Sequence, residues 1–260
     1  MAPAPDIALE QVGAWVGALF WPFVRIGACV MSAPVFGASY VPARLRVILA
    51  GAVTLAVAPL LPPPPAMPLL SAGGVLVTIQ QVLIGLAFGF ALQLVFDALA
   101  LGGQLLANGM GLGFAFNLDP LRGVSTPALG QLYVVLGTLT FLALDGHLAF
   151  LQAVVDSFRG LPVAEQGLDP ARLMALADWG SQLFAGALRV ALPGVTALLV
   201  INLAFGVMSR AAPALNLFAV GLPVTLVFGL AIVLFGLPAF GSALQQLLAE
   251  GFAFLHALAG

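Results

Sequence analysis

Between residues 69 and 101 the chain reads LLSAGGVLVTIQQVLIGLAFGFALQLVFDALAL, an apolar run whose one charge, Asp97, stands near its end. A helix needs about 20 apolar residues to cross the ~30 Å hydrocarbon core of a bilayer, so this run is long enough to span one. The fold class turns on whether its neighbours are of the same kind. Upstream lie Val12 to Ala33, which contains Arg25, and Leu45 to Leu61. The second of these ends at Pro62-Pro63-Pro64-Pro65, a run that cannot continue a helix and favours an extended polyproline turn. Downstream lie Pro127 to Phe150, Leu183 to Met208 and Leu215 to Leu248. The expectation is an all-α, polytopic membrane protein of about six hydrophobic helical segments. These are 12–33, 45–61, 69–101, 127–150, 183–208 and 215–248, in one membrane domain covering 1–260. Pro22, Pro34, Pro193, Pro223 and Pro238 predict kinks or breaks. With two prolines, the last run suits a helical hairpin as well as one long helix.

Composition supports this reading. Hydrophobic residues make up 62% of the chain and charged residues 7%, with a mean hydropathy of +1.15. So few charges could not cover the surface of a soluble fold of this size. The surplus apolar surface must face lipid or other chains. Net charge is −2, and all eight basic residues other than histidine are arginine. Without a broad basic footprint, nucleic acid is not an expected partner. Without lysine, neither Schiff-base nor P-loop chemistry is available. One cysteine, Cys29, rules out an intrachain disulfide. The first residues, with Asp6 and Glu10 and no basic residue, lack the positive region of a secretory signal, so the first apolar run is expected to stay in the mature protein.

Three stretches interrupt the apolar pattern. Residues 102–120 are Gly-rich, from Gly102-Gly103 through Gly109, Gly111 and Gly113 to Asn117-Leu118-Asp119-Pro120, and read as a broken helix or an ordered loop. Asp145-Gly146-His147 reads as a helix end at an interface, or as an Asp–His proton relay. Gln152 to Asp178 is the most polar part and reads as a water-exposed connection. Within it a short helix is expected near Asp169-Pro170, with Asp as cap and Pro in the first turn.

No catalytic constellation can be assembled from two histidines and one cysteine, so no enzyme, metal or cofactor is expected. Arg25, Asp97, Arg189 and Arg210 lie within or beside apolar runs. Such charges pair between helices or subunits, snorkel, or line an ion path. Met110, Phe114 and Phe116 among glycines fit either small-residue helix packing or a mobile hydrophobic constriction that closes a pore by dewetting.

Three passages resemble the FliR family, the R subunit of the flagellar type III export gate, and its injectisome counterparts. The first is Arg25-Ile26-Gly27-Ala28, Ala33-Pro34-Val35-Phe36-Gly37 and Val41-Pro42-Ala43-Arg44-Leu45-Arg46. The second is Met110-Gly111-Leu112-Gly113-Phe114-Ala115 with Asp119-Pro120. The third runs from Asn202-Leu203-Ala204-Phe205-Gly206 through Ser209-Arg210, Pro213 and Asn216 to Gly221-Leu222-Pro223. The resemblance implies a single-copy subunit of a helical gate with about five P and about four Q subunits and the export-switch protein FlhB. Such a gate stands in the inner membrane at the flagellar basal body, partly above the membrane plane, and passes unfolded flagellar substrates. It further implies that Met110, Gly111, Leu112, Gly113, Phe114, Ala115 and Phe116 form a pore plug. Arg25, Arg44, Arg46, Asp119, Asn202, Arg210 and Asn216 are then expected as assembly or structural polar residues. The alternatives are an injectisome gate subunit or a stand-alone proton-coupled transporter or channel. A transporter would need a midplane polar site that the sequence does not show.

Overall fold

The computed structural model describes residues 9–65, 67–112, 128–211 and 217–260, with the side chains of 9–15 and 217–220 outside that description. Its helices are α1 (Leu9–Ser32), α2 (Ala43–Val57), α3 (Ala72–Gly109), α4 (Ala128–Ala143), α5 (Gly146–Gly160), α6 (Pro170–Trp179), α7 (Gln182–Ala211) and α8 (Leu217–Ala259). A 3₁₀ turn, Ala58–Leu60, follows α2. No strand occurs among the described residues. Among the described residues, four helical stretches are long and apolar enough to cross a membrane: Ala43–Leu60, Ala72–Gly109, Pro170–Ala211 and Gly221–Ala259. They become five if α4 and α5 count as one broken span, and Val16–Ser32 is a shorter apolar helix.

Several boundaries differ from the sequence reading. Helix α3 does not stop at Leu101 but runs through Gly102 and Gly103 to Gly109. Those two glycines serve close packing: a Cβ on Gly103 would lie 2.6 Å from the Leu129 carbonyl oxygen. The break near Asp145 is present, but Asp145 itself, not Gly146, takes the left-handed conformation, with φ 55°. Helix α5 continues well past Phe150 and buries Val154, Ser157 and Phe158, so the polar connection begins later than expected. The cap at Asp169 forms as read: its carboxylate accepts the Arg172 N–H at 2.7 Å, with Pro170 in the first turn. Helix α8 is one helix through Pro223 and Pro238, not a hairpin, and extends to Ala259. Prolines are tolerated inside apolar helices where neighbouring groups satisfy the freed carbonyls.

The described residues form two compact units. One comprises those up to Gln93, Asp145–Gly180 and Glu250–Gly260; the other comprises those in Leu94–Leu144 and Ser181–Ala249. In the first unit α1 and the start of α3 run parallel. Gly85 and Gly89 let them approach: a Cβ on Gly85 would sit 2.6 Å from Ala28 Cβ, and one on Gly89 would sit 2.8 Å from Ala33 N. Trp21, Ile26, Ile84, Phe88, Phe150 and Phe158 fill its core. Trp179 stacks on Phe254 at 4.4 Å, and its indole N–H donates to the Ala91 carbonyl. In the second unit Phe96 meets Phe141 edge-on at 5.6 Å, and Tyr133 packs on Phe240 at 4.7 Å.

Candidate functional site

Two groups of residues stand out, one in each unit. In the second unit, α3 ends in a hydrogen-bonded stop. Leu112 N–H donates to Ala107 O and Gly111 N–H to Asn108 O, both at 3.0 Å, with Gly111 at φ +80°. This is the Schellman pattern, in which a left-handed glycine closes a helix and satisfies its terminal carbonyls. Any side chain on Gly111 would be strained by the backbone, and its Cβ would fall 2.7 Å from Leu222 Cδ2.

Neighbouring helices hold this end. Met110 is 1% exposed, and it lies against Gly229 of α8, where a Cβ would be 2.6 Å from Met110 Cε. Asn202 Nδ2 of α7 donates to Gly109 O at 3.1 Å. The buried Thr225 hydroxyl of α8 makes a long 3.5 Å contact with Met110 O and a shorter bond to Leu222 O. The last carbonyls of a helix have no intrahelical partner, and here α7 and α8 cover two of them.

In the first unit, Arg25 is 0% exposed. Its Nε donates to Gln81 Oε1 at 2.8 Å, its Nη1 to Ser157 Oγ at 3.3 Å, and its guanidinium lies 4.1 Å over the Phe158 ring. One helical turn earlier on α1, Trp21 Nε1 donates to Thr78 Oγ1 at 3.2 Å. Arg25 Nη2 and Gln81 Nε2 are buried with no hydrogen-bond partner among the described residues. The cluster links α1, α3 and α5 through an apolar core. It brings together no nucleophile and base.

The chain matches the family of bacterial export proteins, family 1, over residues 16–251. It is 35% identical to flagellar biosynthetic protein FliR of Escherichia coli (strain K12), across 95% of this chain and 94% of that protein. It is 40% identical to the protein of the same name from Pectobacterium carotovorum subsp. carotovorum, across 92% and 91%.

The chain belongs to the FliR family.

The match extends to a more distant FliR, that of Bacillus subtilis (strain 168), at 28% identity across 77% of this chain and 78% of that one. The span common to this chain and the family takes in both residue groups.

Of the residues expected to form a plug, Met110, Gly111 and Leu112 are placed in the helix stop, while Gly113, Phe114, Ala115 and Phe116 lie outside the described residues. Asp119 and Asn216 do too. Arg210 is exposed in the last turn of α7. Arg44 is exposed at the start of α2, and Arg46 is half-buried there, with Nη2 donating to Ala38 O at 2.6 Å. Sequence reasoning missed Gln81, Ser157, Thr225 and Gly229. Gly221, Thr225 and Gly229 recur every fourth residue, a small-residue face that could have marked α8 as the partner of Met110.

Proposed function

We propose that this chain is a structural and pore-gating subunit of a bacterial flagellar type III protein export gate. In that role it passes unfolded flagellar substrates across the inner membrane. What carries the reading is the family match over residues 16–251. In this reading the chain acts as one membrane domain of about six hydrophobic segments. It packs in a helical hetero-oligomer with P and Q subunits and FlhB in the flagellar basal body. It supplies no enzymatic step and holds no cofactor.

The way α3 ends supports the gating part of this reading. Met110 and the left-handed Gly111 anchor one side of the plug to α8. A glycine at position 113 would suit a segment that has to swing. Phe114 and Phe116 would seal the closed pore by excluding water, since bulky apolar rings in a narrow passage favour dewetting. Arg25, Arg44, Arg46, Asp119, Asn202, Arg210 and Asn216 would hold the subunit's own fold and its contacts with the others. Apolar side chains that stay exposed along α7 and α8, such as Leu199, Leu203, Val227 and the 82% exposed Phe235, support a location among other chains or lipid.

The test is electrical. Phe114→Ala/Phe116→Ala in the assembled gate, recorded in a planar bilayer, is expected to raise ion leakage in the absence of substrate. Unchanged conductance together with unchanged secretion would refute the plug.

A further inference from the structure

We propose that the turn joining α1 to α2, with the groove between those helices, forms a binding site for an anionic phospholipid. Between Gln11 and Phe96 the chain carries three arginines and no acid. Arg25 is buried, which leaves the exposed Arg44 and the half-buried Arg46 as the accessible charges of that stretch. Arg44 is exposed in the first turn of α2. Arg46 is held toward the turn by the 2.6 Å bond from its Nη2 to Ala38 O, with its Nε buried, so Arg44 is the more accessible of the two. The start of α2 has no side-chain cap and no acidic residue in its first turn, so its dipole adds to the preference for an anion.

The same turn carries the marks of a membrane–water boundary. Tyr40, one of two tyrosines in the chain, is 72% exposed. Exposed tyrosines collect at the headgroup level, and arginine heads snorkel to it. The turn is fixed in place: Phe36 N–H donates to Pro34 O at 2.8 Å around Val35 at φ 69°, a γ-turn.

Below this boundary the surface becomes apolar. Leu45, Val47, Ile48 and Leu55 are exposed on α2. A groove of about 350 Å³ lies between α1 and α2, lined by Leu19, Phe20, Phe23, Gly51, Thr54 and Leu55. Gly51 leaves it open, with no atom within 4 Å of where its Cβ would stand, and the Thr54 hydroxyl is already bonded to Ala50 O. Seven residues separate Arg44 from Gly51, about 10 Å along a helix. A lipid phosphate at the arginines therefore places its acyl chain at the groove. A soluble phosphate would use the charge and leave the groove empty, which is why the lipid is the occupant we choose.

Native mass spectrometry of the detergent-purified chain, with added phosphatidylglycerol or phosphatidylcholine, tests this. Phosphatidylglycerol is expected to be retained in preference. Each outward arginine near an anionic surface contributes about 1 kcal/mol, so Arg44→Gln should lower retention about fivefold and Arg44→Gln/Arg46→Gln about thirtyfold. Because Arg46 also holds Ala38, the single Arg44 variant serves as the arm free of folding effects. Gly51→Leu should lower retention with both arginines in place, and Arg159→Gln should leave it unchanged. Equal retention of the two lipids, an undiminished preference in Arg44→Gln, or displacement by excess inorganic phosphate would each overturn the proposal. Export plays no part in the readout, so failure here leaves the gate reading standing.

Discussion

Arg25 Nε and Gln81 Oε1 lie 2.8 Å apart, in a hydrogen bond that joins α1 to α3 where solvent is excluded. A buried guanidinium is tolerated only where its donors and charge are answered by polar partners. Gln81, Ser157 and the Phe158 ring answer it here. The cost of removing one partner therefore exceeds the cost of removing both.

Gln81→Leu is expected to destabilise the chain by about 1.5–3 kcal/mol, because it leaves Nε buried and unbonded. Arg25→Met/Gln81→Leu, with the charge gone, should cost less than Gln81→Leu alone. Thermal unfolding in detergent, followed by Trp fluorescence, would compare the two. A double variant weaker than the single one would contradict the account.

Gly111→Ala forces a side chain into the left-handed region and toward Leu222. The backbone term alone is about 1–2 kcal/mol. We expect a lower unfolding temperature and, under the gate reading, altered leakage. Gly111→Asn should lose less, since Asn tolerates that conformation better. Equal losses from the two variants would place the cost in the Leu222 contact instead of the backbone.

How far the sequence could be read depended on the range of each interaction. Local signals were legible: apolar runs gave the helices, Asp169-Pro170 gave a helix start, and Asp145-Gly146-His147 gave a break. Signals that depend on distant partners were not. Gly102 and Gly103 look like helix breakers in isolation, yet they sit inside α3 because Ala187 O and Leu129 O approach them. Arg25 stood out as a charge in an apolar run, but its partners lie 56 and 132 positions away, and Gln and Ser are unremarkable by themselves. In the Gly-rich segment, Met110 stands out from its glycine setting, while Gly229, which makes room for it, is seen only in the fold.

Two glycines of α8 offer a paired test. Gly229→Ala drives a methyl into the fully buried Met110 and is expected to cost about 1–3 kcal/mol. Gly236→Ala meets nothing within 4 Å and should be neutral or gain up to about 1 kcal/mol from helix propensity. Unfolding midpoints in one detergent decide it, and equal shifts would refute the Met110 packing.

Val35 holds φ 69° although it is β-branched, a conformation that costs such residues about 1–2 kcal/mol. Val35→Gly relieves that cost while losing the side chain's packing, and its unfolding midpoint in detergent reads the net effect. Val35→Ala separates the two, since it loses the same packing and keeps most of the strain. Glycine is expected to be the more stable of the pair.

The account stands most directly on what this chain assembles with. Co-expression with candidate P and Q subunits, followed by native mass measurement of the detergent-purified material, is expected under the gate reading to find one copy of the chain in a single large hetero-oligomer. Recovery of the chain alone, with P and Q subunits assembled without it, would contradict the gate reading at its root.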